Sequence, residues 1–468
     1  MKLMKKISLL KQNNRNNLLI FVIPLFILSA HLQKRPVNHE GGQSYLGSIN
    51  QKIDSWGSIL PIITPSENFR YESLYISILS LSIFTIGAAL TFKYSELLKK
   101  DLLVLCVLLF SGCSFVIANS RDSFLLSFTM LNFGIINFII KSKKYYYISI
   151  LFLGLVMMVS FKYVTGITIV LLLLYFLIRH LQFKNYIEYL IIIVTTLIIT
   201  TLGIVFDKSL ADVVNLKKSY PEQQPIFQDL AAFYCWSDDP ITRSNALKAL
   251  EPVIITKDPK DICLTLRPNS WGYLVAGGNF LSSGIDAPLK RIAEKEGFKI
   301  SQLINGWAKT IANDPIDYVQ FKLISSTQII SVGHPFKYSL GMSQFTNESD
   351  VIEEVSKNSE SLILKISNYS WKINRFLLKL IGSTYLFSII TLFMILFIIS
   401  LAKTKFNLRK EFIVFLFLSH MLNLAILSIS FVSDEARYVF PIMYISYLIM
   451  INDIKLKNKD ESKTTYFT

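Results

Sequence analysis

The chain has 468 residues, 52% of them hydrophobic, with 48 Lys/Arg against 33 Asp/Glu and a formal net charge of +15. So apolar a composition excludes an ordinary soluble protein of this length. The basic excess lies in short segments between apolar runs and not on a folded domain, which excludes a nucleic-acid-binding surface as its cause.

Ten apolar runs are long enough to cross a bilayer of roughly 30 Å as helices. They cover about 17–32, 71–92, 102–118, 123–140, 145–161, 164–181, 187–206, 376–402, 412–432 and 438–452. The first, NLLIFVIPLFILSAHL, follows a basic tail, but no small-residue cleavage site comes after it, so it reads as a retained helix. A polar stretch of one domain's length, 207–375, separates the seventh run from the eighth. The predicted fold class is an α-helical polytopic membrane protein of about 10 transmembrane helices, with a helix-rich extracytoplasmic domain inserted between the seventh and eighth spans. Its parts are an N-terminal membrane domain, 1–206, the soluble domain 207–375, a C-terminal membrane domain, 376–454, and a tail, 455–468.

The loops KYSELLKK, KSKK, RHLQFKN and AKTKFNLRKE alternate on one side with both tails, and all are rich in Lys and Arg, as cytoplasmic segments are. Both termini are then cytoplasmic in a plasma (inner) membrane. The first loop (33–70), NSRD, FKY, the domain 207–375 and SDEARY face outward. Within the domain, PIFQDLAAFYCW has helical apolar spacing, DDPITRSNALKALEPV opens on acids, and KDPKDICLTLRPNSWGYLVAGGNF breaks repeatedly at Pro and Gly. Residues 287–330 read as two helices, the second opened by NDP. Cys235 and Cys263, on the oxidising side, are a candidate disulfide, with two buried thiols as the alternative. Cys106 and Cys113, on one face of a span, read as packing residues. The five His residues are scattered and show no metal-ligand spacing.

Polar groups on the outer face remain. The first outer loop supplies Glu40 and Asp54. Asp54, beside aromatic surface in IDSWG, is a candidate general base, with helix capping as the plainer reading. Arg121 and Asp122 stand at the start of the fourth span, where an acid suits a helix N-terminus. Lys162 lies outside against the positive-inside tendency, either snorkelling to lipid phosphate or holding a ligand. SDEARYVFP sets Asp434 and Glu435 before Arg437 and Tyr438 at the last span. Arginine matches phosphate oxygens bidentately, while tyrosine is also an interfacial anchor. Three cations facing an acidic loop suit a transferase that holds a lipid-linked phosphate as leaving group and deprotonates an acceptor hydroxyl.

These segments resemble the GT-C superfamily of polytopic glycosyltransferases, which use polyprenyl-phosphate sugars. NSRDSFLLSFTMLNFGIINFII is similar to the family's span that opens with an outer Asp. FKYVTGITIVLLLLYFL is similar to the span after it, with Lys162 where relatives often show Arg-Pro. NGWAKTIANDPIDYVQFKLISSTQII resembles a W-x-x-x-I-x-x-x-P-x-x-Y segment, and DEARYVFPIMYISYLIM resembles an RY-x-x-P start to the last span. Relatives often pair two acids in the first outer loop, whereas Glu40 and Asp54 stand apart.

The resemblance implies transfer of a sugar from a polyprenyl-phosphate donor to a glycan, lipid or protein acceptor at the outer face. Asp54 or Glu40 is the implied base. Arg437, Arg121 and Lys162 would hold the donor phosphate, supported by Asp122, Asp434, Glu435 and Tyr438. No nucleotide and no nucleic-acid partner are expected, and a divalent metal is left open. An O-antigen-type polymerase or ligase is the alternative. A transporter or a non-catalytic membrane protein comes after it, the former disfavoured by how few ionisable residues the spans contain.

Overall fold

The computed structural model describes residues 69–95, 120–181, 187–213, 223–266, 288–290, 300–330, 406–407, 410–430, 440–453 and 455–456, with Leu274 and most of 18–28 and 105–116. Almost everything described is helical. The helices are α1 Phe69–Tyr94, α2 Ser120–Ser142, α3 Ile148–Phe161, α4 Tyr163–His180, α5 Ile187–Val213, α6 Gln223–Trp236, α7 Pro240–Leu250, α8 Lys260–Thr265, α9 Ile300–Asn313, α10 Pro315–Ile330, α11 Lys410–Ser430 and α12 Phe440–Asp453. Short 3-10 turns at Tyr145–Tyr147 and Glu251–Val253 lead into α3 and out of α7. Two two-residue strands, β1 Phe406–Asn407 and β2 Lys455–Leu456, pair antiparallel.

Among the described residues, three helices are long and apolar enough to cross a membrane: Ser123–Ser142, Tyr163–His180 and Tyr189–Leu210. Shorter apolar helices cover Ile78–Tyr94, Tyr145–Phe161, Val414–Leu427 and Phe440–Met450. Only 22% of the apolar window in α5 is buried inside the protein. Water would not tolerate so large an apolar face, whereas lipid does. The expected eighth span, 376–402, lies outside the described residues.

The membrane helices share one core, which runs from Ile20 and Phe84 through Phe133 and Leu173 to Ile445. Its tightest crossing joins α1 to α2. A Cβ on Gly87 would come within 2.5 Å of the Leu131 backbone, and one on Gly134 within 2.8 Å of the Gly87 carbonyl. Small residues at facing positions let two backbones approach, which matters where lipid gives no hydrophobic drive for helix pairing. Polar ties link more distant helices: Asn452 of α12 donates to Asn137 of α2, and a His420 ring nitrogen lies 3.1 Å from the Ser446 hydroxyl.

A second core belongs to the segment between α5 and α11. In α6, Ile226, Phe227, Leu230 and Phe233 form the buried stripe expected of a 3.6-residue repeat. Asp239 caps α7, accepting from the amides of Ile241 at 3.2 Å and Thr242 at 2.8 Å, with Pro240 in the first turn. The chain stops being α9 where Pro315 removes an amide donor, and Asp314 then accepts from the Asp317 amide at 3.1 Å to start α10. Sheet is confined to one isolated bridge, Ile254 with Leu289, among the described residues of this segment. The stretch expected to be loops and short extended pieces also contains the short helix α8. Cys235 at the end of α6 and Cys263 in α8 are joined by a disulfide.

Candidate functional site

The ends of the membrane helices sort into two groups. At one end, Tyr94 of α1 meets Phe138 of α2 at 5.9 Å, and Phe138 meets Tyr147 at 4.8 Å. Tyr175, near the end of α4, stacks on Phe415, near the start of α11, at 3.6 Å. The pairing of β1 with β2 brings the loop before α11 to the tail after α12. This end therefore gathers the chain positions of Lys93, Lys141, Lys143, Lys144, Arg179 and Lys410, which lie in the last or first turns of the helices or between them. Lys143 ends α2 with a left-handed φ of 57°.

The other end holds Lys162 and the start of α2. Phe124, two residues past Asp122, stacks on Phe161 at 5.1 Å and 14°, and Phe161 directly precedes Lys162. Lys162 is a one-residue break between α3 and α4, extended at φ −161° and ψ 93°, and its carbonyl accepts from the Gly166 amide in the first turn of α4 at 2.9 Å. Two turns into α2, the Ser127 hydroxyl donates to the Ser80 carbonyl at 2.7 Å, and the Ser80 hydroxyl donates to the Val116 carbonyl at 3.4 Å. Beside Val116, Phe115 stacks on Phe440, the first residue of α12, at 4.5 Å. Three chain segments thus reach one surface: the start of α2 with Arg121 and Asp122 in its first turn, the Lys162 break, and the start of α12. The side chains of Arg121 and Asp122 lie outside the described residues, as do Glu40, Asp54, Asp434, Glu435, Arg437 and Tyr438. Arg437 precedes Phe440 by three residues in the chain.

A charged cluster that the sequence did not single out sits in the second core. Asp229 of α6 is fully buried, with Lys322 Nζ of α10 at 2.9 Å from Oδ1. Trp307 Nε1 of α9 donates to Oδ2 at 2.9 Å. The Lys322 ammonium also lies over the Tyr318 ring, 5.0 Å from its centroid. Burial pushes the Asp229 carboxyl up to about 6 against the pull of Lys322 and the Trp307 N–H. Burial likewise pushes the Lys322 ammonium down to about 8 against the pull of Asp229. Burial and the Asp229 charge both raise the Tyr318 hydroxyl.

Shifted groups beside a cleft mark a functional-site candidate. Here both carboxylate oxygens are engaged and none of Asp229 is exposed, so its role is to lock three helices together. The W-x-x-x-I-x-x-x-P-x-x-Y segment gains a physical meaning from this. Trp307 binds Asp229, Ile311 packs on the core, Pro315 breaks the helix, and Tyr318 lies under Lys322. A lone acid on the buried stripe of PIFQDLAAFYCW was the available signal, but its partner 93 positions away was not.

Beside the lock is a cleft of about 170 Å³ between α6 and α10. Asp229, Phe233, Trp236, Asp317, Tyr318 and Gln320 are among its lining. Ser237, also in its lining, donates its hydroxyl to Asp314 at 3.4 Å. Both α6 and α10 pack against α11, so the cleft adjoins the membrane helices. Among the described residues, no group of three or more His, Cys, Asp or Glu side chains is placed to hold a metal ion. No protein family, curated protein or solved structure matches the chain.

Proposed function

We propose that the chain is a membrane glycosyltransferase of about ten spans, which moves a sugar from a polyprenyl-phosphate donor to a glycan, lipid or protein acceptor at the extracytoplasmic face. The observation that carries this reading is the sorting of helix ends. The basic loops share one end of the bundle, which we assign to the cytoplasm in a plasma membrane, both termini included. The segments that bear or adjoin Arg121, Lys162 and Arg437 share the other. A lipid-linked phosphate lies at that depth, with its tail among the spans.

In this reading Arg437, with Arg121 and Lys162, holds the donor phosphate and stabilises the charge that grows on it. Asp54, ahead of Glu40, takes the proton of the acceptor hydroxyl. The hydroxyl oxygen bonds to the anomeric carbon, the bond from that carbon to the phosphate oxygen breaks, and polyprenyl phosphate leaves with the electron pair.

The test is the lipid-linked sugar profile of cells lacking the protein. Polyprenyl-phosphate sugar should accumulate, and the native chain should clear it, whereas Arg437→Ala and Asp54→Asn chains should not. Accumulation of diphosphate-linked repeat units in its place would move the assignment to the polymerase or ligase class.

A further inference from the structure

The transfer chemistry leaves the cleft between α6 and α10 unused. Trp236 is 44% exposed, yet Phe321 holds its ring edge-on at 5.2 Å. The next residue back, Cys235, is stapled to Cys263. A large apolar face is therefore presented to solvent from a fixed position, the arrangement aromatic residues adopt when they receive a ligand. The volume, about 170 Å³, is well below the roughly 300–1,000 Å³ of sites for drug-sized ligands, so it seats a single ring. Among the described residues of its lining there is no Arg, Lys or His, the usual partners of an anion. Lys322 meets the Asp229 charge from behind. Asp317 and Gln320 stand one turn apart on α10 and supply acceptors and an amide donor along one wall.

A pyranose ring matches each of these features. Its axial C–H groups are weakly positive and pack on the negative face of an indole. Its hydroxyls form a rim that both donates and accepts hydrogen bonds, as a carboxylate and an amide require. We propose that the cleft between α6 and α10 seats one neutral pyranose ring on Trp236, with Asp317 and Gln320 binding its hydroxyls. That this ring belongs to the acceptor rests on the transferase reading; the binding itself does not.

The test uses the full chain in detergent with a panel of neutral methyl hexopyranosides, read by saturation-transfer NMR and tryptophan fluorescence. A saturable signal is expected for at least one sugar. Trp236→Ala should weaken it about five- to tenfold, and Trp236→Tyr should restore most of it, which separates a stacking face from a folding defect. Gln320→Ala, on the exposed side of α10, should weaken it severalfold. In a transfer assay Trp236→Ala should raise KM for the acceptor and leave KM for the donor unchanged. The subsite is overturned if no sugar gives a saturable signal, if tetramethylammonium binds in its place, or if Trp236→Ala binds as the native chain does. Sugar binding without transfer would keep the subsite and remove the transferase reading. Transfer with a native acceptor KM in Trp236→Ala would do the reverse.

Discussion

Replacing Lys322 by methionine keeps the stem that packs in the second core and removes the charge facing Asp229. Asp229 has no exposure to water, and the Trp307 N–H at 2.9 Å is then left as its donor. Breaking a buried ion pair by removing one partner costs about 3–5 kcal/mol, because a lone charge remains in the interior. The fold escapes this cost only by protonating Asp229. Its folded pKa already lies above the ordinary value and rises further without the ammonium. A raised folded pKa gives stability that is present at low pH and lost as pH climbs through the raised value. The deficit of Lys322→Met against the native chain should therefore be small near pH 5 and about 3–5 kcal/mol near pH 8. Adding Asp229→Asn removes the second charge, keeps an acceptor for Trp307, and should recover most of the loss at pH 8. The assay is urea unfolding of the full chain in detergent at both pH values, followed by tryptophan fluorescence and by protease cleavage within 223–330. A Lys322→Met chain as stable as the native one at pH 8 would refute the buried lock. So would a double variant no better than the single.

The disulfide closes a loop with a sequence separation of 28, so Cys235→Ser with Cys263→Ser should cost about 3.5 kcal/mol on the chain-entropy model, read in the same urea titration. Gly87→Leu inserts a side chain where the α1 and α2 backbones meet and should cost at least about 1–3 kcal/mol, seen as a lower apparent Tm in detergent; an unchanged Tm would deny the close crossing. A membrane-impermeant thiol reagent added outside cells should label a cysteine placed at Asn347 and spare one placed at Lys459; the opposite pattern would invert the orientation and remove the outer-face chemistry.

What the sequence made legible was local. Asp239 before Pro240, and Asp314 before Pro315, mark helix starts because a cap and a missing amide act within four residues. The apolar runs gave the helices of the bundle, but not all of their ends. The run behind α5 stops at 206, while the helix continues to Val213, since leaving an apolar environment does not break backbone hydrogen bonding. β1 and β2 were invisible, because two residues have no periodicity and their partners come from opposite sides of two helices. Asp229 stood in plain view, yet only the fold brings Trp307 and Lys322 to it. At the candidate transfer face, the chain positions of Arg121 and Lys162 were legible as span ends. That the start of α2 meets the end of α3 was not, because it depends on the Phe124–Phe161 stack between helices.

The most direct measurement is transfer by the purified chain in lipid nanodiscs, supplied with a radiolabelled sugar on polyprenyl monophosphate and an acceptor extract from cells lacking the protein. The proposed function predicts one polyprenyl monophosphate released per sugar transferred, with turnover lost in Arg437→Ala and in Asp54→Asn. Transfer from the diphosphate-linked donor alone, or native turnover in Arg437→Ala, would contradict it.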